Sequence, residues 1–191
     1  MPLPPPMSPR ALKHRRAIEI EAFAREDGLW DIDAHITDIK TRDVHLASGL
    51  RPAGEPIHDL SLRITVDTQF NIVDAVAASD RVPYPGYCDV IGPVYKKLIG
   101  MNLLKNFRLR AQDVLGGVMG CTHITDLSAH LPTAAIQAFA GDVFDPNEAS
   151  QASGKSDKPF QLDRCHSLRT DGPAVAKFYP RWAVTPEVTS S

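Results

Sequence analysis

The chain has 191 residues, 43% of them hydrophobic, and a formal net charge of -2. That is enough for one compact domain with a real core, and the near-neutral balance excludes a dedicated nucleic-acid binder, whose footprint is a strongly basic surface. No apolar run reaches the roughly 18 residues a membrane helix needs, and the proline-rich N-terminus lacks a signal-peptide core, so a cytoplasmic protein is expected.

Residues 1–12 hold five of the sixteen prolines and read as a flexible arm. A core domain is then expected over 13–144. Ala17 to Arg25 and Leu29 to Ile39 form a predicted hairpin around the turn Glu26-Asp27-Gly28. In its second strand Trp30, Ile32, Ala34 and Ile36 share one face, and Asp31, Asp33, His35 and Thr37 the other, which is most simply a solvated sheet surface. Arg42 to Pro56 reads as a loop broken by glycine and proline, ended by His58. Leu60 to Val66 and Ile72 to Ala78 alternate as a second hairpin. Beyond the loop Ser79 to Gly86, the residues Val90, Ile91, Val94, Tyr95 and Leu98 recur at helical spacing. Asn106 to Leu115 continues helical, the glycine-rich turn before Cys121 starts another helix, and Pro132 bends or restarts it before Thr133 to Ala140. Residues 145–159 are polar and read as a flexible insertion. The aromatic segment 160–183 is expected to dock on the body, and 184–191 is a tail. The fold class is α+β, an antiparallel sheet of four or more strands followed by helices packed on it.

Three cysteines at wide spacing, Cys88, Cys121 and Cys165, favour free thiols or metal ligands over a disulfide framework. Cys121 and His123 follow Gly116, Gly117 and Gly120 at a helix start, where amide donors and the helix dipole favour a thiolate. His58 opens a strand and Cys88 sits between a strand and a helix, so with Cys121 and His123 they can converge at one sheet edge as a zinc or iron site. Cys165 with His166 offers a further pair, which would close a structural-zinc shell or simply cap the tail.

Gly54-Glu-Pro-Ile-His58-Asp, the strand Leu60 to Val66, Ile72-Val-Asp-Ala75 and the loop to Cys88 before a helix resemble the core of NifU/IscU-type iron-sulfur scaffold proteins. In that comparison Cys88 and Cys121 match the second and third scaffold cysteines, while the first cysteine's neighbourhood holds Pro56 and His58. A resemblance over nearly the whole chain rests on Arg25-Glu-Asp-Gly-Leu-Trp-Asp-Ile-Asp-Ala-His-Ile-Thr-Asp38, Gly54-Glu-Pro-Ile-His-Asp59, Gly116-Gly-Val-Met-Gly-Cys-Thr-His123, Cys165-His-Ser-Leu-Arg169 and Tyr179-Pro-Arg-Trp182. These motifs resemble the bacterial domain-of-unknown-function family 2889, and the resemblance implies a place in bacterial breakdown of aromatic compounds.

The leading functional expectation is a lyase that cleaves a carbon–carbon bond of a lignin-type phenolic dimer and releases formaldehyde. His58, His35 and Asp59 are its acid/base candidates. Arg63 and Arg81 would stabilise a phenolate, and Tyr84 and Tyr87, with Phe107 and Trp30, would supply aromatic walls. Cys88, Cys121, His123 and His58 would hold a metal, if one assists. The alternatives are a zinc, iron or iron-sulfur carrier and a structural-zinc interaction module. The expected partner is a small aromatic substrate, with neither nucleic acid nor membrane, and a homodimer is compatible with the chain.

Overall fold

The computed structural model describes residues 3–145 and 158–184, and its chain divides into two units, 1–138 and 139–191. In the first unit four antiparallel strands run in the order β1-β2-β5-β6: His14–Ala24, Trp30–Lys40, Pro56–Val66 and Ile72–Arg81. Each hairpin has a chemical cause. Between β1 and β2, Gly28 takes φ +82°, which a side chain disfavours, and the Arg25 N–H closes onto the Leu29 carbonyl at 2.9 Å. Between β5 and β6 the Asp67 carboxylate accepts from the backbone N–H groups of Gln69 and Asn71. The stretch expected as a loop over Arg42 to Pro56 contains a small hairpin, β3 Val44–Leu46 and β4 Gly49–Arg51, since Gly49 at φ +121° turns the chain tightly enough to pair its flanks.

Strand parity sorts the side chains. Ile32, Ala34 and Ile36 of β2 and Leu60, Leu62, Ile64 and Val66 of β5 are all at most 1% exposed. The helical part follows: a 3-10 segment Asp89–Leu98 against β6, α1 Phe107–Leu115, α2 Thr122–Ser128 against β2 and β5, and α3 Leu131–Phe139. The architecture is therefore α+β, strands first and helices after. The apolar spacing over Val90 to Leu98 predicts an ordinary helix, but Pro93 lacks the N–H that an α-helical turn would bond back to Asp89, and the segment winds as 3-10. It lies so close to β6 that a Cβ on Gly92 would meet the Ala77 carbonyl at 2.6 Å.

The second unit is short. Phe144 and Phe160 pack edge to face at 5.2 Å, and Asp163 accepts from both the backbone and the hydroxyl of Thr170. A 3-10 turn His166–Leu168 and the helix α4 Pro173–Phe178 follow. The expected insertion over 145–159 and the tail over 184–191 fall almost wholly outside the described residues. No helix among the described residues is long and apolar enough to cross a membrane.

One buried hydroxyl fixes the start of α2. Tyr95, fully buried, donates to the Cys121 carbonyl at 2.9 Å, accepts from the Cys121 N–H at 3.0 Å and lies 3.0 Å from the Thr125 hydroxyl. Gly120 makes this approach possible, because a Cβ there would stand 2.5 Å from the Leu115 carbonyl. Removing the hydroxyl in Tyr95→Phe leaves the Cys121 N–H without this partner, while the Cys121 carbonyl keeps the Thr125 N–H at 2.9 Å, and the loss costs about 1–3 kcal/mol. Urea unfolding of that variant should show a loss in this range at unchanged m-value; full wild-type stability would mean that the hydroxyl does not anchor α2.

Candidate functional site

The inward face of β2 carries one buried charge. Asp38 continues the series Ile32, Ala34 and Ile36 at period two, so its carboxylate enters the core-facing side with 4% of its side chain exposed. The strand register then chooses its neighbours. Arg16 of β1 and His58 of β5 stand directly opposite Asp38 on either side, which lays a row Arg16–Asp38–His58 across three strands. The β2–β5 register shifts just beyond, between Asp38 and Ile39, so the row lies where regular pairing ends.

Arg16 grips the carboxylate at both oxygens, Nε to Oδ1 at 2.9 Å and Nη2 to Oδ2 at 2.8 Å. His14 Nε2 lies 3.0 Å from Oδ1 and His58 Nδ1 3.2 Å from Oδ2. His123, the second residue of α2, brings Nε2 to 3.7 Å from the same Oδ2, and its ring rests on that of His58 with centroids 3.8 Å apart. Burial alone would push the Asp38 carboxyl up. The Arg16 hydrogen bonds and charge, with the fields of His58 and His14, outweigh it and hold the group ionised below the ordinary carboxylate range. His58 is shifted below its ordinary value, first by burial and then by the neighbouring His123, against the pull of Asp38. His123 is lowered too, by burial and then by the Arg16 charge. Both imidazoles are thus mostly neutral at pH 7 and able to accept a proton.

Beside this row a cavity of about 380 Å³ opens between the sheet end and the helices. His58, His123, Cys88, Cys121, Tyr84 and Tyr87 all line it. The structure therefore brings together six of the residues expected to act at one site. The Cys121 Sγ is 4.0 Å from His123 Nδ1.

Strand parity places other expected residues away from this cavity. His35 and Asp59 bond to each other at 2.6 Å on the opposite, outward face, because odd-numbered positions of β2 and β5 point there. They cannot act with His58 through the sheet. Arg63 is on that outward face as well, bound to Asp33, and Arg81 ends β6 opposite Asp59 in register. Neither guanidinium reaches the cavity. Phe107 is core, 2% exposed at the start of α1, and Trp30 begins β2 at the far end from Asp38. Among the described residues the group of three or more close metal-ligating side chains is Asp38, His58 and His123, with ligand atoms within 4.8 Å of one another. Of the expected ligand set this group holds His58 and His123, joined by Asp38, and neither Cys88 nor Cys121. Cys165 is exposed in the second unit and His166 starts its 3-10 turn.

The residues that sequence reasoning passed over are Asp38, Arg16 and His14. Asp38 had a readable signal, being the carboxylate that follows three apolar residues on a single strand face. Arg16 and His14 had none without the β1–β2 register.

The lowered histidines and the lowered aspartate set the acid limit of stability with one sign. The unfolded chain takes up protons at His58 and His123 near pH 6.5, while the folded chain resists them, so stability is complete above that value and falls as pH drops through it toward the folded values. Asp38 adds a second loss only below about pH 3.8. Melting temperature should therefore fall between pH 7 and pH 5, and the double variant His58→Gln, His123→Gln should flatten that slope. An equal slope in both proteins would refute the buried-imidazole account.

No curated protein and no solved structure matches the chain, so the likeness of its core to NifU/IscU-type scaffolds finds no support there. One family does match. Its profile covers residues 14–137, beginning at His14 and taking in every residue of the Asp38 cluster, and by this match the chain belongs to the family described as Protein of unknown function (DUF2889).

Proposed function

We propose that the cavity beside Asp38 is the active site of a lyase that breaks a carbon–carbon bond of a small phenolic dimer by acid/base chemistry and releases formaldehyde. The observation that carries this reading is the pair of imidazoles in ring contact beside one buried carboxylate, opening into a cavity lined by two tyrosines. Its volume of about 380 Å³ falls within the range of small-molecule sites.

The chemistry needs proton transfers and no electron carrier. A base takes the phenol proton, and the phenolate expels the oxygen substituent on its benzylic carbon, which leaves with a proton, giving a quinone methide. Loss of the proton from the neighbouring hydroxymethyl group then breaks the bond to that carbon. Formaldehyde departs, and the released electron pair forms the alkene and restores the phenolate. His58 is the assigned base: its Nδ1 faces Asp38, which keeps the proton on that nitrogen and leaves Nε2 to accept. His123, in ring contact, is the assigned partner that relays the proton taken up by His58 to the leaving oxygen, after which the again neutral pair takes the hydroxymethyl proton and returns it to the restored phenolate. Asp38 stabilises the imidazolium as it forms, and Tyr84 and Tyr87 give the aromatic rings flat apolar surfaces.

A metal-assisted reading has one specific observation behind it, the proximity of Asp38, His58 and His123 ligand atoms, which suits zinc or iron. Against it stands the occupancy of Asp38. Both carboxylate oxygens already receive an Arg16 N–H, so a divalent ion would share its only anionic ligand with a guanidinium. That repulsion is on the order of 6 kcal/mol at an effective dielectric of ~20 and ~5 Å. The carrier and structural-zinc readings are weaker still, since no cysteine belongs to this cluster among the described residues.

Purified protein incubated with a panel of phenolic dimers bearing a primary alcohol should release formaldehyde and form an alkene chromophore. Turnover should fall about 10²–10⁴-fold in His58→Ala and stay near wild type in His35→Ala. No formaldehyde from any member of the panel would remove the lyase proposal. Exhaustive chelation followed by gel filtration separates the two site chemistries: activity and melting temperature should survive it, and loss of both with recovery on adding zinc or ferrous iron would establish the metal reading instead.

A further inference from the structure

Strand β1 is an edge of the sheet along its whole length, pairing with β2 alone. The other edge, β6, is flanked by the 3-10 segment at Gly92, whereas β1 is mostly exposed and has neither a proline nor a bulge to blunt it. Its outward face, with the residue just before it, reads Lys13, Arg15, Ala17, Glu19, Glu21 at spacing two. Two cations precede a small residue and two carboxylates follow.

Glu19 stands opposite His35 and Glu21 opposite Asp33, a like charge already taken by Arg63, while Arg15 stands opposite Ile39. Among the described residues none of Lys13, Arg15, Glu19 and Glu21 enters an ion pair.

We propose that β1 pairs with β1 of a second copy, antiparallel about Ala17, to join two four-stranded sheets into one. Antiparallel pairing about that residue sets Arg15 of each copy against Glu19 of the other and Lys13 against Glu21, so all four charges of each copy meet an opposite one. Parallel pairing would set like against like. Moving the antiparallel register by two residues either way halves the number of opposite pairs, and moving it by one turns the side chains to the wrong face. On the inward face Arg16 comes opposite Ile18 of the other copy, and its aliphatic stem covers a side chain that is 38% exposed in the single chain. A second copy is favoured over an unrelated partner because the charge pattern is its own complement. The inference uses the edge and outward face of β1 and does not depend on the lyase reading.

Sedimentation equilibrium of the full chain tests it with Arg15→Glu, Glu19→Arg and the double variant. Wild type should be dimeric at roughly 100 µM, each single reversal should weaken dimerisation about tenfold or more, and the double reversal should restore it. Unchanged circular dichroism of the single variants shows that they fold. A monomeric wild type, single variants that dimerise as well as wild type, or a double variant no better than either single one would overturn the proposal.

Discussion

A buried carboxylate on an apolar strand face is the constraint from which the rest of the site follows. Moving an ionised aspartate out of water costs several kcal/mol even after relaxation, and the cost is recovered only with good geometry on most of its lone pairs. Asp38 has that geometry: two N–H groups of Arg16 bond its two oxygens and two histidines lie at about 3 Å. Strand β1 is therefore more than a cover for β2. It supplies the guanidinium that does most to hold Asp38 ionised against its burial, and an ionised Asp38 can both orient His58 and stabilise its protonated form.

The two imidazoles in ring contact inherit their character from this arrangement. A histidine beside a carboxylate ordinarily gains affinity for protons. Here burial, with the second imidazole acting on His58 and the guanidinium acting on His123, outweighs that gain. A proton on His123 makes one on His58 harder to add. Held neutral at pH 7 and placed on a carboxylate, such a pair can accept one proton and move it over a short distance, which is the minimal equipment for cleavage that needs removal at one oxygen and delivery at another.

Most of the fold was legible because its signals are local. Alternation over Leu60 to Val66 and the Asp67 to Asn71 turn mark β5 and β6 without tertiary information, and the glycines before Cys121 mark the start of α2. The site was half legible for the same reason. His58, Cys88, Cys121 and His123 stand at element ends, where convergence can be anticipated. Parity sorts Trp30 to Thr37 into two faces and, carried one residue further, sets Asp38 among the apolar side chains, whereas the polar face points to His35 and Asp59 on the side of the sheet away from the cavity. Arg16 lay beyond sequence reasoning altogether, because a bidentate pair 22 residues apart is created by register, and register is a property of two strands.

The same period of two explains why β1 remains an unblunted edge. Sheet proteins commonly discourage edge pairing by turning a charged side chain inward, where a second strand would have to bury it. Arg16 and His14 are inward charged or polar residues on this edge, yet both are already bound to Asp38 and are no obstacle to a neighbour. Consuming them in the site removes that protection. What remains on the outward face is an ordered run of cations and carboxylates that repels most partners and accepts its own antiparallel image, so the demand of the buried aspartate reaches across the strand to the surface that a second copy would meet.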